Sequence, residues 1–316
     1  MHVAYRGEWI IILGFVGAFI ALYSAAIFLL IRPFISPMER VPPLGGVGKM
    51  ILGFAALGLV LAAYAFFIEP MQLDVTHLSI PIDGLSPSAA PIRIVQFSDT
   101  HCDATARLEP RLPEEIRKQK PDLIFFTGDA CNSEKGFENW RKCIEQVKQI
   151  APLFACKGDW DVDANNINSF GRVGLTGEGT KLVDVRGQKL FIIQVPAIVG
   201  ASARAAANKA PKGMPVIMLA HSPDQDVVIT QDMRGIDLLC VGHTHGGQIA
   251  LPFYGALITQ AKTGRAYSRG LSQIGNGWIY TNRGIGMEGH FPRVRFCSVP
   301  ELTVFDLVPS GKPWHG

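Results

Sequence analysis

Two long apolar runs open the chain. Trp9 to Ile31 is 23 residues without a charged side chain, and Met50 to Ile68 adds 19 more. At 1.5 Å of rise per residue, each is long enough to cross a hydrocarbon layer of about 30 Å. They predict two transmembrane helices, 9–31 and 50–68, within a membrane anchor covering residues 1–68. A cleaved signal peptide fits the first run less well, because the apolar stretch is too long and a second span comes soon after. The pattern then changes. Glu69 to Pro91 is a Pro-containing lead-in with some alternation, expected to hold a linker and a first strand, and a soluble domain is expected over residues 92–316. Short apolar runs recur there: Ile92 to Phe97, Leu123 to Phe126, Leu153 to Cys156, Val216 to Leu219 and Ile236 to Val241. Their length and residue types predict buried strands. Glu114 to Lys120 and Phe137 to Gln149 carry helix-forming residues with polar faces, and the Ala-rich Ala201 to Lys212 predicts a short helix. Asn165 to Gly179 is polar and Gly-containing, which predicts a loop. Strands alternating with helices make a layered α/β domain.

Composition agrees with an apolar front joined to one soluble domain: mean hydropathy is +0.20 with 18% charged residues. A net charge of +3 is too small to argue for nucleic acid as a partner. The connection between the runs holds Arg32, Arg40 and Lys49 against Glu39, whereas the N-terminal tail has only Arg6 and no Lys or Arg occurs after the second run until Arg93. The positive-inside rule therefore places the connection in the cytoplasm and the soluble domain on the extracytoplasmic side. Cysteine usage pulls the other way. The six cysteines, between Cys102 and Cys297, form no C-x-x-C pair or dense framework. Cys156 and Cys240 end apolar runs and read as small buried hydrophobes, while Cys102 and Cys131 have no assigned role.

The chemistry is carried by short polar motifs at the ends of the strand-like runs. In order come Asp99-Thr-His101, Gly128-Asp129, Gly158-Asp159-Trp160-Asp161, Ala220-His221 and Gly242-His243-Thr244-His245. Side chains at the carboxyl ends of neighbouring strands converge on one sheet edge whatever their separation in sequence. Seven such donors are too many for one tetrahedral ion and point to a dinuclear metal site. In extended backbone, residues two apart face the same side, so Asp99 with His101, and His243 with His245, are each expected to present two donors together. Carboxylate oxygens and imidazole nitrogens suit Mn, Fe, Zn or Ni better than Ca or Mg. Further on, Lys262, Arg265, Arg269, Arg283, Arg293 and Arg295 read either as a solvated face or as contacts for a phosphate or an anionic headgroup.

These motifs resemble the pattern of the calcineurin-like metallophosphoesterase superfamily, D-x-H, G-D, G-N-H-D/E, H and G-H-x-H, over about residues 92 to 306. Gly242 to Ile249, Leu251-Pro252, Asn282 to Gly286 and Pro300 to Leu302 are similar to its membrane-associated branch, which includes UDP-2,3-diacylglucosamine hydrolases. The resemblance implies a four-layer αββα sandwich behind the two transmembrane helices. It also implies that Asp99, His101 and His245 hold one metal, that Asp159, His221 and His243 hold the other, and that Asp129 bridges them. The ions would be two divalent transition metals, Mn²⁺ first among them, with a metal-bound hydroxide attacking phosphorus. The implied substrate is a phosphorylated amphiphile in the bilayer, such as UDP-2,3-diacylglucosamine of lipid A biosynthesis. The alternatives are an extracytoplasmic phospholipid or cell-envelope phosphoester, or a metal-binding membrane protein with weak or lost catalysis. Two positions depart from the pattern: Asp159 stands where Asn is usual, and Trp160 where a His usually contacts the phosphate and protonates the leaving group. An indole N–H donates a hydrogen bond but shuttles no proton at neutral pH. Asp161 is a substitute acid or, in its blander role, orients the loop through backbone hydrogen bonds.

Overall fold

The computed structural model describes residues 6–35, 42–162, 167–195, 202–224, 233–289 and 293–311. Glu39 and Arg40 of the basic connection, Asn165 and Asn166 of the polar loop, Ala201, and residues 312–316 lie outside the described residues. The chain begins with α1 (Arg6–Ile35) and α2 (Gly46–Ala63), which continues through a π-turn over Tyr64–Ile68 and a tight 3₁₀ turn over Glu69–Met71. Ile10–Ile35 and Gly46–Met71 are each long and apolar enough to cross a membrane, with most of their surface unburied. Next come β1 (Asp74–Ile82), β2 (Ile92–Phe97), α3 (Leu112–Lys118), β3 (Leu123–Phe126), α4 (Phe137–Val147), β4 (Leu153–Ala155) and the one-turn α5 (Asp159–Val162). The second half holds β5 (Gly179–Val185), β6 (Gln188–Gln194), α6 (Ser202–Ala207), β7 (Val216–Leu219) and β8 (Leu238–Val241). The chain closes with β9 (Ala250–Leu251), β10 (Gly255–Ala256), β11 (Gly270–Ile274), β12 (Gly277–Thr281) and β13 (Glu301–Pro309).

Two mixed sheets face each other, in orders β1-β13-β2-β3-β4 and β11-β12-β8-β7-β6-β5. Strands β2, β3 and β4 run parallel, as do β6, β7, β8 and β12. Buried on both faces, the central strands are continuously apolar rather than alternating. In β3, Leu123 and Phe125 enter the core between the sheets with Leu238 and Cys240, while Ile124 and Phe126 pack outward against α3 and α4. Leu239 and Val241 of β8 likewise face the outer layer that includes Ala207 of α6. The four-layer αββα order follows from this alternation. Helix α4 buries Phe137, Trp140, Cys143, Ile144 and Val147, the spacing of one helical face. The Trp140 and Phe126 rings lie 4.7 Å apart.

The lead-in is part of the first sheet: Asp74 to Ile82 pair in parallel with Glu301 to Pro309. Helix α3 begins and ends two residues before the expected Glu114 to Lys120, with Pro113 in its first turn. The predicted loop from 165 contains a 3₁₀ turn at Gly171–Val173, and its last residue opens β5. Cys156 and Cys240 are buried in the inter-sheet core, and all six cysteines are free thiols.

Candidate metal centre

All seven donors named from the sequence follow the carboxyl ends of β2, β3, β4, β7 and β8, Asp159 as the first residue of α5 and the others on the connecting loops and turns. The backbone there is not extended. Asp99, His101, Asp129, His243 and His245 all have positive φ, at 50°, 39°, 61°, 71° and 52°. For residues with a Cβ this conformation is costly and persists where surrounding structure over-determines it. The expectation of same-side pairing in extended backbone is corrected accordingly. Asp99 and His101 do share one cluster, but by left-handed turning, and His243 and His245 part company into different clusters. The glycines serve close approach. A Cβ on Gly128, at φ 96°, would strike the backbone of Gly158, and one on Gly158 would strike the Asp129 carboxylate.

The donor atoms form three overlapping groups: Asp99, His101 and His245; Asp159, His221 and His243; and Asp99, Asp129 and His221. Within each, the ligand atoms lie within 4.8 Å of one another. Asp129 Oδ2 is 3.4 Å from His101 Nε2 and 3.2 Å from His221 Nε2, so one carboxylate oxygen stands between the first two groups. His245 Nε2 lies 3.5 Å from Asp99 Oδ1, and His243 Nδ1 lies 3.6 Å from Asp159 Oδ2. Among the described residues, the buried Nε2 atoms of His101 and His245 have no hydrogen-bond partner, which a cation among these donors would explain.

Surrounding groups aim three of the rings. His101 Nδ1 faces Asn132 Oδ1 at 2.9 Å, His221 Nδ1 faces the Thr127 carbonyl at 2.8 Å, and His243 Nε2 faces the Gln260 carbonyl at 3.2 Å. Each oxygen accepts the ring N–H, leaving the opposite lone pair toward the carboxylates, the tautomer a metal requires. His245 differs. Its Nδ1 lies 3.2 Å from Nη2 of the fully buried Arg295, a guanidinium that burial pulls down to about 9, still charged at neutral pH. Burial, the His101 ring and Arg295 together push His245 well below the usual range. Burial also opposes charge on His221, but the Asp129, Asp99 and Asp159 carboxylates outweigh it and raise that ring. The two central carboxylates split. Burial raises Asp99, whereas Asp129 is held well below the usual range because His221 and His101 overcome its desolvation. Such opposed shifts mark a site where several charges share one small volume.

Residues 92–250 match the Calcineurin-like phosphoesterase superfamily domain. The chain is 30% identical over 277 residues to the uncharacterized metallophosphoesterase YkuE of Bacillus subtilis, covering 82% of this chain and 95% of that one. This chain belongs to the calcineurin-like phosphoesterase superfamily. It is similar also to phosphodiesterase YaeI of Escherichia coli, with 28% identity over 78% of this chain and 92% of the relative. UDP-2,3-diacylglucosamine pyrophosphatase LpxG of Chlamydia trachomatis is 26% identical over 79% of this chain and 95% of its own length. This protein is a metal-dependent phosphoester hydrolase.

Around the donor cluster of this phosphoesterase, the two departures from the family pattern acquire surroundings. Asp159 is the most open of the carboxylates, its side chain 31% exposed, and adds a third negative group beside His243. The Trp160 indole stands edge-on to His101 at 5.5 Å between centroids and donates Nε1–H to Glu288 Oε1 at 3.3 Å. Asp161 spends its carboxylate on the loop. Oδ2 accepts from Asp129 N and Gly158 N at 2.7 and 2.9 Å, and Oδ1 accepts from Ala130 N and Ser169 Oγ at 3.1 and 2.7 Å. That is the backbone-orienting role. Of the basic residues, Arg283 pairs with Asp74 and Glu301, and Arg293 pairs with Asp103. With Arg295 buried on His245, these three serve the fold and the site's surroundings. Lys262, Arg265 and Arg269 remain on the exposed rim.

Sequence reasoning missed Asn132, Gln260 and Glu288. Glu288 Oε2 accepts from Gln260 Nε2 at 3.1 Å, and Glu288's backbone exchanges both hydrogen bonds with the Gln248 side chain. Of these residues only Gln248 lies inside a recognisable motif. The others are isolated polar residues in loops, and nothing in their spacing marks them.

Proposed function

We propose that this protein is a membrane-anchored, dinuclear phosphoesterase or pyrophosphatase acting on an amphiphilic phosphoester. The observation that carries the reading is the Asp129 oxygen set between the two donor groups. Asp99, His101 and His245 would hold one divalent ion, Asp159, His221 and His243 a second, and Asp129 both, with Mn²⁺ proposed first and Fe, Zn or Ni also suited to this mixture of oxygen and nitrogen donors. Two such ions polarise a phosphoryl oxygen and lower the pKa of a bound water, supplying the nucleophile's charge at neutral pH. The polypeptide supplies aim. Asn132, Thr127 and Gln260 hold the ligand rings, and Asp161 fixes the loop that carries Asp129 and Asp159.

With Trp160 hydrogen-bonded to Glu288, the usual His proton donor is missing. A nucleotide monophosphate departing from a pyrophosphate needs less protonation than an alkoxide, so this site favours good leaving groups. Similarity to LpxG supports UDP-2,3-diacylglucosamine as substrate. The charge of the connecting loop favours an extracytoplasmic domain and with it a phospholipid or cell-envelope phosphoester. A reporter fused to the C-terminus reads the side of the membrane and separates these two substrates.

The ligand assignment has its own test. Full-length protein should retain two equivalents of Mn²⁺ and hydrolyse bis(4-nitrophenyl) phosphate. Asp129→Asn should drop metal content to about one equivalent and turnover by about 10³-fold. Two retained ions with undiminished turnover in that variant would sink the assignment.

A further inference from the structure

His245, one of the seven donors, lines a cleft of about 330 Å³ whose far wall is the first apolar helix. Ile12, Phe15 and Val16 of α1 face Ile249, Leu257 and Ile258 of the catalytic domain across it. His245, Gln260 and Glu288 form the polar end. Apolar at one side and chelating at the other, the cleft has the polarity of a single amphiphile. Resting on the membrane-anchored phosphoesterase reading, we propose that this cleft takes one hydrocarbon chain of the substrate, which reaches the metal centre laterally from the bilayer with its phosphoester toward His245.

Three observations point to a chain rather than a soluble apolar ligand. Within the apolar run Trp9 to Ile31, Ile12 to Val16 lie about 5 to 10 Å along the helix from the first residue, just inside the face of the hydrocarbon layer where acyl chains meet headgroups. The second helix meets the domain at the same level. Ala65 O accepts from Arg295 N at 3.0 Å, and Arg295 itself reaches His245. The loop that supplies Leu257 and Ile258 also carries Phe253, fully exposed, and the exposed Tyr254, with the Arg265 guanidinium 4.3 Å above the Tyr254 ring. An aromatic tip beside a basic side chain is the composition of an interfacial contact. Because lipid tails are as apolar as the cleft walls, the chain gains position rather than hydrophobic free energy there. It holds the phosphoester at the donors, and its benefit appears in kcat/KM.

The experiment uses full-length protein in phosphatidylcholine nanodiscs with Mn²⁺, comparing dodecyl 4-nitrophenyl phosphate with methyl 4-nitrophenyl phosphate. Partition into the disc favours the dodecyl ester in every variant, so the diagnostic quantity is the change in the ratio of the two kcat/KM values. Val16→Trp fills the cleft from the helix side, and Ile258→Trp does so from the domain side. Each is expected to lower the dodecyl-to-methyl ratio about tenfold. Leu13→Trp, on the exposed side of the same helix, is expected to leave the ratio unchanged. A second readout needs no turnover: dodecyl phosphate with a terminal diazirine should label the peptide holding Leu257 and Ile258 in the parent and in Leu13→Trp, and lose that label in Val16→Trp. Loss of methyl-ester hydrolysis in the parent protein counts against the phosphoesterase reading alone. An unaltered ratio with unaltered labelling in both cleft variants overturns the chain-binding cleft.

Discussion

Trp160 stands beside the donor cluster where a titratable side chain would change the chemistry and leave the loop geometry in place. Its backbone N–H donates to Asp129 Oδ1 at 2.9 Å, a contact any residue there would keep, while its indole turns to Glu288. Trp160→His restores a group that titrates near neutrality. Hydrolysis of an alkyl phosphate ester is expected to rise about 10- to 100-fold, with little change for a pyrophosphate. The check is paired kcat values over a pH series, in which the variant gains a limb absent from the parent. Equal acceleration of both substrates would show that the indole had acted by bulk alone. The loop backbone tolerates this exchange because the Asp161 carboxylate, with its four donors, holds it independently of residue 160.

At the level of elements, the end of the second apolar helix is tied to the metal loops by a buried acid. Glu69 is 1% exposed, and its carboxylate accepts from the backbone N–H groups of Cys297 and Ser298 at 3.0 and 2.6 Å. Ser298 Oγ in turn donates to the His245 carbonyl at 2.6 Å. Replacing the acid strands the buried Ser298 N–H and the partly buried Cys297 N–H, so Glu69→Ala is expected to cost about 1–3 kcal/mol in urea denaturation of the full chain. A second tie crosses from Asp103, just beyond His101, to the far loop. Asp103 receives Arg293 through both oxygens at 2.9 and 3.0 Å, and Arg107 at 2.9 Å. Burial works to raise Asp103, but the hydrogen bonds from Arg107 and Arg293 prevail and hold it below the usual carboxylate range. Its folded state thus binds fewer protons than the unfolded chain at acid pH. The stabilisation is complete above pH about 4 and is lost as pH falls toward the lower folded value. Asp103→Asn should therefore be less stable than the parent at pH 7, and the two melting curves should converge below pH about 4. A constant gap across that range would contradict the linkage.

For the whole molecule, a cluster of carboxylates and imidazoles buried at the junction of two sheets places metal binding and folding on one equilibrium. Ligands that bind only the folded state stabilise it by about 2.7 kcal/mol per site at a hundredfold excess over Kd. Chelation of the full-length protein should accordingly lower its melting temperature by several degrees, with recovery on adding back Mn²⁺. Calorimetry with and without chelator reads the effect, and coincident transitions would mean that the donors hold no ion. The same junction explains why the apolar helices matter to the site: both reach it, α1 through the cleft and the second helix through Ala65 and Glu69.

The sequence by itself determined the seven donors, the buried character of the central strands and the two long apolar helices, because each is written in local residue type and spacing. Asp99, Asp129 and His243 come two or three residues after apolar runs, and strand pairing leaves them few places to go. Tertiary structure decided which donors fall into one group. His243 and His245 are two residues apart, yet left-handed turning sends them to separate groups, a conformation that local preference disfavours and only the packed loops impose. It also supplied Asn132, Gln260 and Glu288, brought in from separate loops, and the first helix as a wall of the cleft. Contacts between segments far apart in sequence carry no periodicity along the chain, so they become visible only when the two sheets have closed on each other.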